Sequence, residues 1–148
     1  MKKLKVIDLS TLLPGPEITM ELMRRGAEII RIEHPTHPDG SRLLGKTFYS
    51  SLNRGKRILK LDLTLSAGKQ SLLKQVSTAD VLVTNLKTSS RQKLGISDRV
   101  LHKTNPRSVV VTLTGRPRDQ PGHDINFMAE SGLLSILGAL PGVPLADL

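Results

Sequence analysis

Lys5-Val6-Ile7-Asp8-Leu9, then Pro14-Gly15-Pro16, then Gly26-Ala27-Glu28-Ile29-Ile30-Arg31-Ile32 form the stretch on which the fold turns. The first five residues read as a buried strand. Pro14 suits the first turn of a helix, where one N–H is unsatisfied in any case. Ile18, Leu22 and Met23 share a face of that helix, and Gly26 stops it. Ala27 to Ile32 is the next strand.

The alternation continues along the chain. A third strand is predicted from Arg57 to Leu63, then a helix opening near Thr64 or Ser66 with Leu72, Leu73 and Val76 inward. Val81-Leu82-Val83 is a fourth strand. Arg91 to Asn105 reads as two short helical pieces interrupted at Gly95 and ended by Pro106. Val109-Val110-Val111-Thr112-Leu113 is the most β-branched segment and the clearest strand. Asp124 to Leu137 reads as a helix. Repeated βα units with strands apolar on both faces predict an α/β fold: an open, mostly parallel, Rossmann-like sheet with helices on both faces. There is no internal repeat, low-complexity tract or evident linker, so residues 1–148 read as a single α/β domain.

Composition narrows the functions available. A chain of 148 residues without cysteine has no disulfide framework, no Cys-zinc site and no thiol nucleophile. The basic start, Met1-Lys2-Lys3-Leu4-Lys5, leads into an apolar run broken by Asp8 and Ser10, too early for a secretory signal. No segment approaches the roughly 18 apolar residues of a membrane span. The chain therefore reads as soluble and cytoplasmic, with no membrane partner.

The formal charge of +9 is concentrated locally. Arg42, Lys46, Arg54, Lys56, Arg57 and Lys60 lie between Gly40 and Leu61, where there is no Asp or Glu. Such a field suits nucleic acid, an anionic surface or a ligand with several phosphates, or is simply a solvated basic loop. Phe48, Tyr49 and Phe127 are the only aromatic residues, too few for base stacking, so nucleic acid is not expected. A polyphosphate ligand fits better. In open α/β sheets, ligands sit beyond the carboxyl ends of the strands. The loops predicted there are Ser10 to Pro16, Glu33 to Arg57, Thr84 to Ser90 and Thr114 to His123. Neither a Gly-x-Gly-x-x-Gly after the first strand nor a Walker loop is present, so ordinary dinucleotide and nucleoside-triphosphate sites are not supported.

A series of short motifs runs through these elements: Val6-Ile7-Asp8-Leu9-Ser10, Pro14-Gly15-Pro16, Arg31-Ile32-Glu33, Asn53-Arg54-Gly55-Lys56-Arg57, Leu61-Asp62-Leu63, Ala79-Asp80-Val81-Leu82-Val83, Asn105-Pro106-Arg107 and Gly122-His123-Asp124. In this order they resemble the family III CoA transferases, the CaiB/BaiF family. Gly122-His123-Asp124-Ile125-Asn126 before an aromatic is most similar to the α-methylacyl-CoA racemase branch, since transferases commonly have tyrosine at the His123 position.

The resemblance implies an acyl-CoA substrate, with no cofactor beyond the coenzyme A that the thioester brings. It implies His123 and Asp147 as the catalytic pair. A racemase removes the proton α to a thioester carbonyl from one face and returns it on the other, which needs two acid/base groups flanking a planar enolate. Histidine, with an ordinary pKa near 6.5, suits one role; a carboxylate needs positioning and partial desolvation for the other. In the transferase branch the Asp147 position is a nucleophile, forming an acyl anhydride and then a thioester with CoA. A catalytically silent remnant that keeps only CoA affinity is the third reading.

By the same resemblance Asn53, Arg54, Lys56 and Arg57 contact CoA phosphates, His34 approaches the adenosine end, and Asn85, Lys87 and Lys93 belong to another CoA-contacting loop. Asp124 is expected to cap the helix it begins. His37 and His102 have no partner in sequence, and no metal site is expected. Family members continue into a second domain and interlock as dimers, so the chain reads as a truncated, N-terminal part. It would be inactive alone or completed by a homodimer or by a complementary C-terminal chain.

Overall fold

Strand order sets where a ligand can sit. The computed structural model describes residues 3–116, 120 and 122–137, and the chain divides into two units, Met1–Leu113 and Thr114–Leu148. The first unit is built on a five-stranded sheet of β1 (Lys5–Leu9), β2 (Glu28–Glu33), β3 (Arg57–Lys60), β4 (Val81–Thr84) and β5 (Val109–Thr112). All neighbours pair in parallel, in the order β3-β2-β1-β4-β5. The chain works outward from β1 to β3, then returns to lay β4 on the other side of β1. That reversal is the switch point at which such sheets open a crevice.

Alternation along the strands sorts two cores. Ile7, Leu9, Ile30, Ile32 and Leu82 pack with Leu72 and Val76 of α3 (Ser66–Val76), and with Ile96 and Leu101, the latter from α5 (Asp98–Thr104). Val6, Ile29 and Val83 pack with Leu22 and Met23 of α1 (Pro14–Arg24). Two shorter helices complete the unit, α2 (Lys46–Asn53) and α4 (Thr88–Lys93). In the second unit, α6 (Asp124–Glu130) is followed by α7 (Leu133–Leu137).

The structure corrects four local expectations. The inward face of α1 is Gly15, Pro16, Thr19 and Met20, with Ile18 turned out. Thr19 is drawn in because its hydroxyl donates to Asp8 Oδ2 at 2.6 Å. The cationic segment contains α2, which buries Tyr49 and Leu52 and starts after Gly45, whose φ of +119° favours glycine. β3 ends at Lys60 because Asp62 Oδ1 takes the Thr64 N–H at 2.9 Å and turns the chain. The segment from Asp124 to Leu137 is two helices, broken at Gly132 with φ +75°.

The largest departure from an all-apolar sheet is a charged cluster on the α1 face. Asp8 and Arg31 are register partners on β1 and β2, and both are fully buried. The Arg31 guanidinium reaches three carboxylates: Asp8 Oδ2 at 3.0 Å, Glu33 Oε1 at 3.0 Å and Asp39 Oδ2 at 2.8 Å. Lys56 Nζ closes the cluster, donating to Asp8 Oδ2 at 3.1 Å, Pro16 O at 2.6 Å and Thr19 Oγ1 at 2.7 Å. Burial works to raise the Asp8 pKa, but Arg31 and Lys56, with the Ser10 and Thr19 hydroxyls, hold it below the usual 3.8.

Removing one partner from a buried ion pair leaves the other uncompensated, at a cost of about 3–5 kcal/mol. Asp8→Asn is expected to lose that much in chemical denaturation. The folded state binds the Asp8 proton less tightly than the unfolded chain, so its stabilisation is complete well above pH 3.8 and drains away as pH falls through and below that value. Stability measured against pH should therefore fall more steeply on the acid side for the natural chain than for Asp8→Asn.

Candidate functional site

Two loops meet at the switch point. After β1 the chain runs Ser10-Thr11-Leu12-Leu13, and after β4 it runs Asn85-Leu86-Lys87. The Asn85 side chain ties them together: its Oδ1 accepts the Thr11 N–H at 3.0 Å and its Nδ2 donates to Thr11 O at 3.0 Å. The next residue, Leu12, has φ +63°, the only positive value at a non-glycine residue among those described. A left-handed leucine is held against its preference, at a cost of about 1–2 kcal/mol. Asp39 provides a hold, accepting the Leu12 N–H at 3.2 Å on the oxygen that also faces Arg31. Its other oxygen takes the Ser41 N–H at 2.7 Å and the Ser41 hydroxyl.

A cavity of about 330 Å³ opens beside these loops, at the carboxyl ends of β1 and β2. Thr11, Leu12, Glu33, His34, His37 and Asp39 are among its lining residues. Glu33 ends β2, and its carboxylate accepts from Arg31 Nε at 3.0 Å, Tyr49 Oη at 2.5 Å and Arg42 Nη2 at 2.8 Å. Burial alone would raise its pKa; the hydrogen bonds from Tyr49, Arg42 and Arg31 hold it below the usual value instead. Burial and the bond to Glu33 together push the Tyr49 phenol up to about 12. The Arg42 guanidinium stacks on the Tyr49 ring at 3.6 Å.

At the rim, His34 Nδ1 accepts the N–H groups of Thr36 at 3.2 Å and His37 at 3.1 Å, and stands 2.9 Å from His37 Nδ1. Its Nε2 faces Asp62 Oδ1 at 3.5 Å, joining the end of β2 to the turn after β3. No group of three or more His, Cys, Asp or Glu among the described residues could hold a metal.

The α1 N-terminus beside this cavity is a poor anion cradle. Pro14 and Pro16 remove two of its first three N–H groups, and Glu17 adds a negative charge to the first turn. Gly15 is needed for close packing rather than for ligand approach: an added Cβ would lie 2.1 Å from Ser10 Oγ. That helix start has little backbone N–H to offer an anion.

The residues singled out in the sequence scatter by geometry. His34, Asn85 and Lys87 stand on the carboxyl side of the sheet, at the ends of β2 and β4 and the head of α4. Lys93 is exposed at the far end of α4. Asn53 is buried with its Nδ2 on Tyr49 O at 3.0 Å. Lys56 belongs to the interior cluster. Arg57 opens β3 opposite Ile30, at the amino end of its strand and away from the cavity. Arg54 lines a separate, shallower cavity of about 500 Å³ with Met20, Lys46, Thr47, Ser50 and Ser51.

His123 lies in the second unit, where it is the N-cap of α6 and Asp124 is the first helical residue. Its N–H donates to Asn126 Oδ1 at 3.0 Å, and it is exposed. Asp147 lies outside the described residues. Asp8, Arg31, Glu33, Asp39 and Asp62 were not anticipated as site-forming. The signal for the first two was available as opposite charges inside neighbouring apolar strands.

Residues 1–147 match the profile of CoA-transferase family III. Human α-methylacyl-CoA racemase is 35% identical over 153 residues, covering all of this chain and 38% of that protein. Succinyl-CoA:mesaconate CoA-transferase of Haloarcula hispanica is 32% identical, covering 95% and 40%. The crystal structure of a CaiB/BaiF family protein from Brucella suis superposes with a TM-score of 0.83 at 27% identity, covering 98% of this chain and 44% of that one.

Asn85→Ala should release the Thr11 amide, raising its hydrogen-exchange rate about tenfold, while the Ile7 amide in the central strand keeps its protection.

Proposed function

The chain belongs to CoA-transferase family III, and from that premise we propose that it carries the CoA-binding part of an acyl-CoA enzyme of the racemase type. The observation that carries the binding is the cavity at the switch point, whose rim holds His34 and whose neighbouring loop bears Lys87. The adenosine end lies in that cavity, and CoA enters as part of the substrate. Lys56 and Asn53 serve from within, fixing the α1 and α2 backbone, while His34 and Lys87 meet the ligand.

The reaction we assign is 1,1-proton transfer on a 2-methylacyl-CoA. His123 removes the α-proton, the electron pair moves into the thioester carbonyl as an enolate, and a proton is returned to the opposite face by a second group, for which Asp147 is the candidate. Backbone N–H groups at a helix head supply the donors an enolate oxygen needs. The second reading is a CoA transferase with Asp147 as acyl-accepting nucleophile. It is favoured by the 32% identity to the Haloarcula hispanica enzyme, close to the 35% for the racemase. The chain spans 38–40% of the length of these two relatives.

Calorimetric titration with CoA and a 2-methylacyl-CoA, with α-proton exchange followed by NMR in deuterated buffer, tests these readings. Binding with exchange supports the racemase, and His123→Ala should then abolish exchange while leaving CoA affinity intact. Transfer of CoA between two carboxylates without α-exchange would favour the transferase. Absence of CoA binding would sink both. His34→Ala is expected to weaken CoA about tenfold, the worth of one charge-assisted hydrogen bond, whereas Arg57→Ala should leave the affinity within about twofold.

A further inference from the structure

Lys46 and Arg54, two cations of the acid-free segment, stand at opposite ends of α2 and line the cavity of about 500 Å³, which shares no lining residue with the one at the switch point. Arg31, Arg42 and Arg91 each face a carboxylate. Lys46 and Arg54 are exposed, and their side chains enter no ion pair or hydrogen bond among the described residues. The hydroxyls of Thr47 and Ser50, on the same wall, have no partner among them either. Ser51 Oγ is spent on Phe48 O at 2.7 Å. No carboxylate lines the cavity, and the acids of the neighbouring α1 are engaged, Glu17 by Arg24 and Glu21 by Arg25.

Helical spacing gathers these donors. Residues three and four apart are neighbours on a helix surface, roughly 5–6 Å between Cβ atoms. Ser50 is four residues from Lys46, four from Arg54 at the C-cap and three from Thr47, so all border the patch above Ser50. Tyr49, Leu52 and Asn53 are the buried residues of the helix and leave this face to the cavity. Met20 of α1, only 5% exposed, adds an apolar surface beside it. A carboxylate would answer one of the two cations. A phosphate monoester has three free oxygens and a charge of about −1.5 to −2 at pH 7. It matches two cations and two hydroxyls, and a guanidinium fork takes two of its oxygens at once.

We propose that this cavity binds a phosphate monoester carried on a small apolar body, with the phosphate over Ser50 between Lys46 and Arg54 and the body against Met20. The proposal goes beyond the CoA reading and does not depend on it. A free ester and a phosphorylated tyrosine of another protein share this chemistry.

Titration of the full chain with phenyl phosphate, benzoate and phenol, followed by amide chemical shifts, tests it. Phenyl phosphate should bind about tenfold or more tightly than benzoate, and move the amides of Thr47, Ser50, Ser51 and Arg54. Arg54→Gln should weaken phenyl phosphate about tenfold, and Ser50→Ala about fivefold. Arg54→Lys, which keeps the charge without the fork, should recover part of the loss, and natural shifts at Ile7 and Leu82 would show each variant folded. Equal affinity for phenyl phosphate and phenol would mean that the cavity takes the ring alone. Shifts confined to Thr11, His34 and Asn85 would place the phosphate in the switch-point cavity. Either result overturns the proposal, as does failure of phenyl phosphate to bind, or undiminished binding by a chain carrying both Lys46→Gln and Arg54→Gln. Tighter binding of a short phosphotyrosine peptide than of phenyl phosphate would assign the ligand to a protein side chain, and weaker binding would assign it to a free ester.

Discussion

The pairing of Asp8 with Arg31 across β1 and β2 is the constraint on which the carboxyl edge of this sheet depends. Two opposite charges sit in register where neighbouring positions on the same face hold Val6 and Ile29, and neither reaches water. Desolvating them is expensive, and the attraction between them repays it only if remaining donors and acceptors are also met. Lys56, Thr19 and Ser10 meet those of Asp8; Glu33 and Asp39 meet those of Arg31. Each of these comes from a different piece of chain: the β1–α1 loop, α1, the end of β2, the segment before α2 and the turn before β3. Satisfying one ion pair thus fixes the mutual placement of most elements bordering the cavity.

From that anchor the strain at Leu12 makes sense. A leucine with positive φ persists because Asn85 pins the residue before it and Asp39 pins its own N–H, while Arg31 orients Asp39. The backbone at the cavity mouth is therefore pre-shaped by buried charge rather than by glycine. This is an alternative to the glycine-rich turn that dinucleotide sites use, and it explains how a sheet of the same strand order manages without that fingerprint.

Much of the architecture was legible in the amino-acid sequence because it follows from apolar periodicity. The five strands, the helix breaks at Gly26 and Gly95, and the parallel α/β class all come from where Val, Ile and Leu recur. What was not legible involves charged residues in the interior. Arg54, Lys56 and Arg57 look equivalent as a cationic run, yet an amphipathic turn sends Lys56 inward to Asp8, Arg57 to the amino end of β3 and Arg54 to another cavity. Local sequence does not encode that difference, because the partner that decides it lies 48 residues away. α2 escaped notice for a related reason: its inward residues, Tyr49, Leu52 and Asn53, are a mixture of polar and apolar. His123 was picked out by its Gly-His-Asp setting, and the structure shows it as the N-cap of a helix, its N–H taken by the Asn126 side chain, with Asp124 one residue inside.

The prolines at the start of α1 have an evolutionary consequence. A phosphate held by backbone N–H groups is held by something no side-chain substitution can delete. With Pro14 and Pro16 in place and Glu17 beside them, this scaffold has largely given up that option at its first helix. At that helix, any hold on phosphate would fall to individual side chains, each removable by a single codon change. Such a site drifts easily, losing one ligand group or gaining another while the sheet beneath is untouched. A fold that delegates recognition to replaceable side chains is well suited to relatives that share a frame and differ in the carboxylic acids they carry.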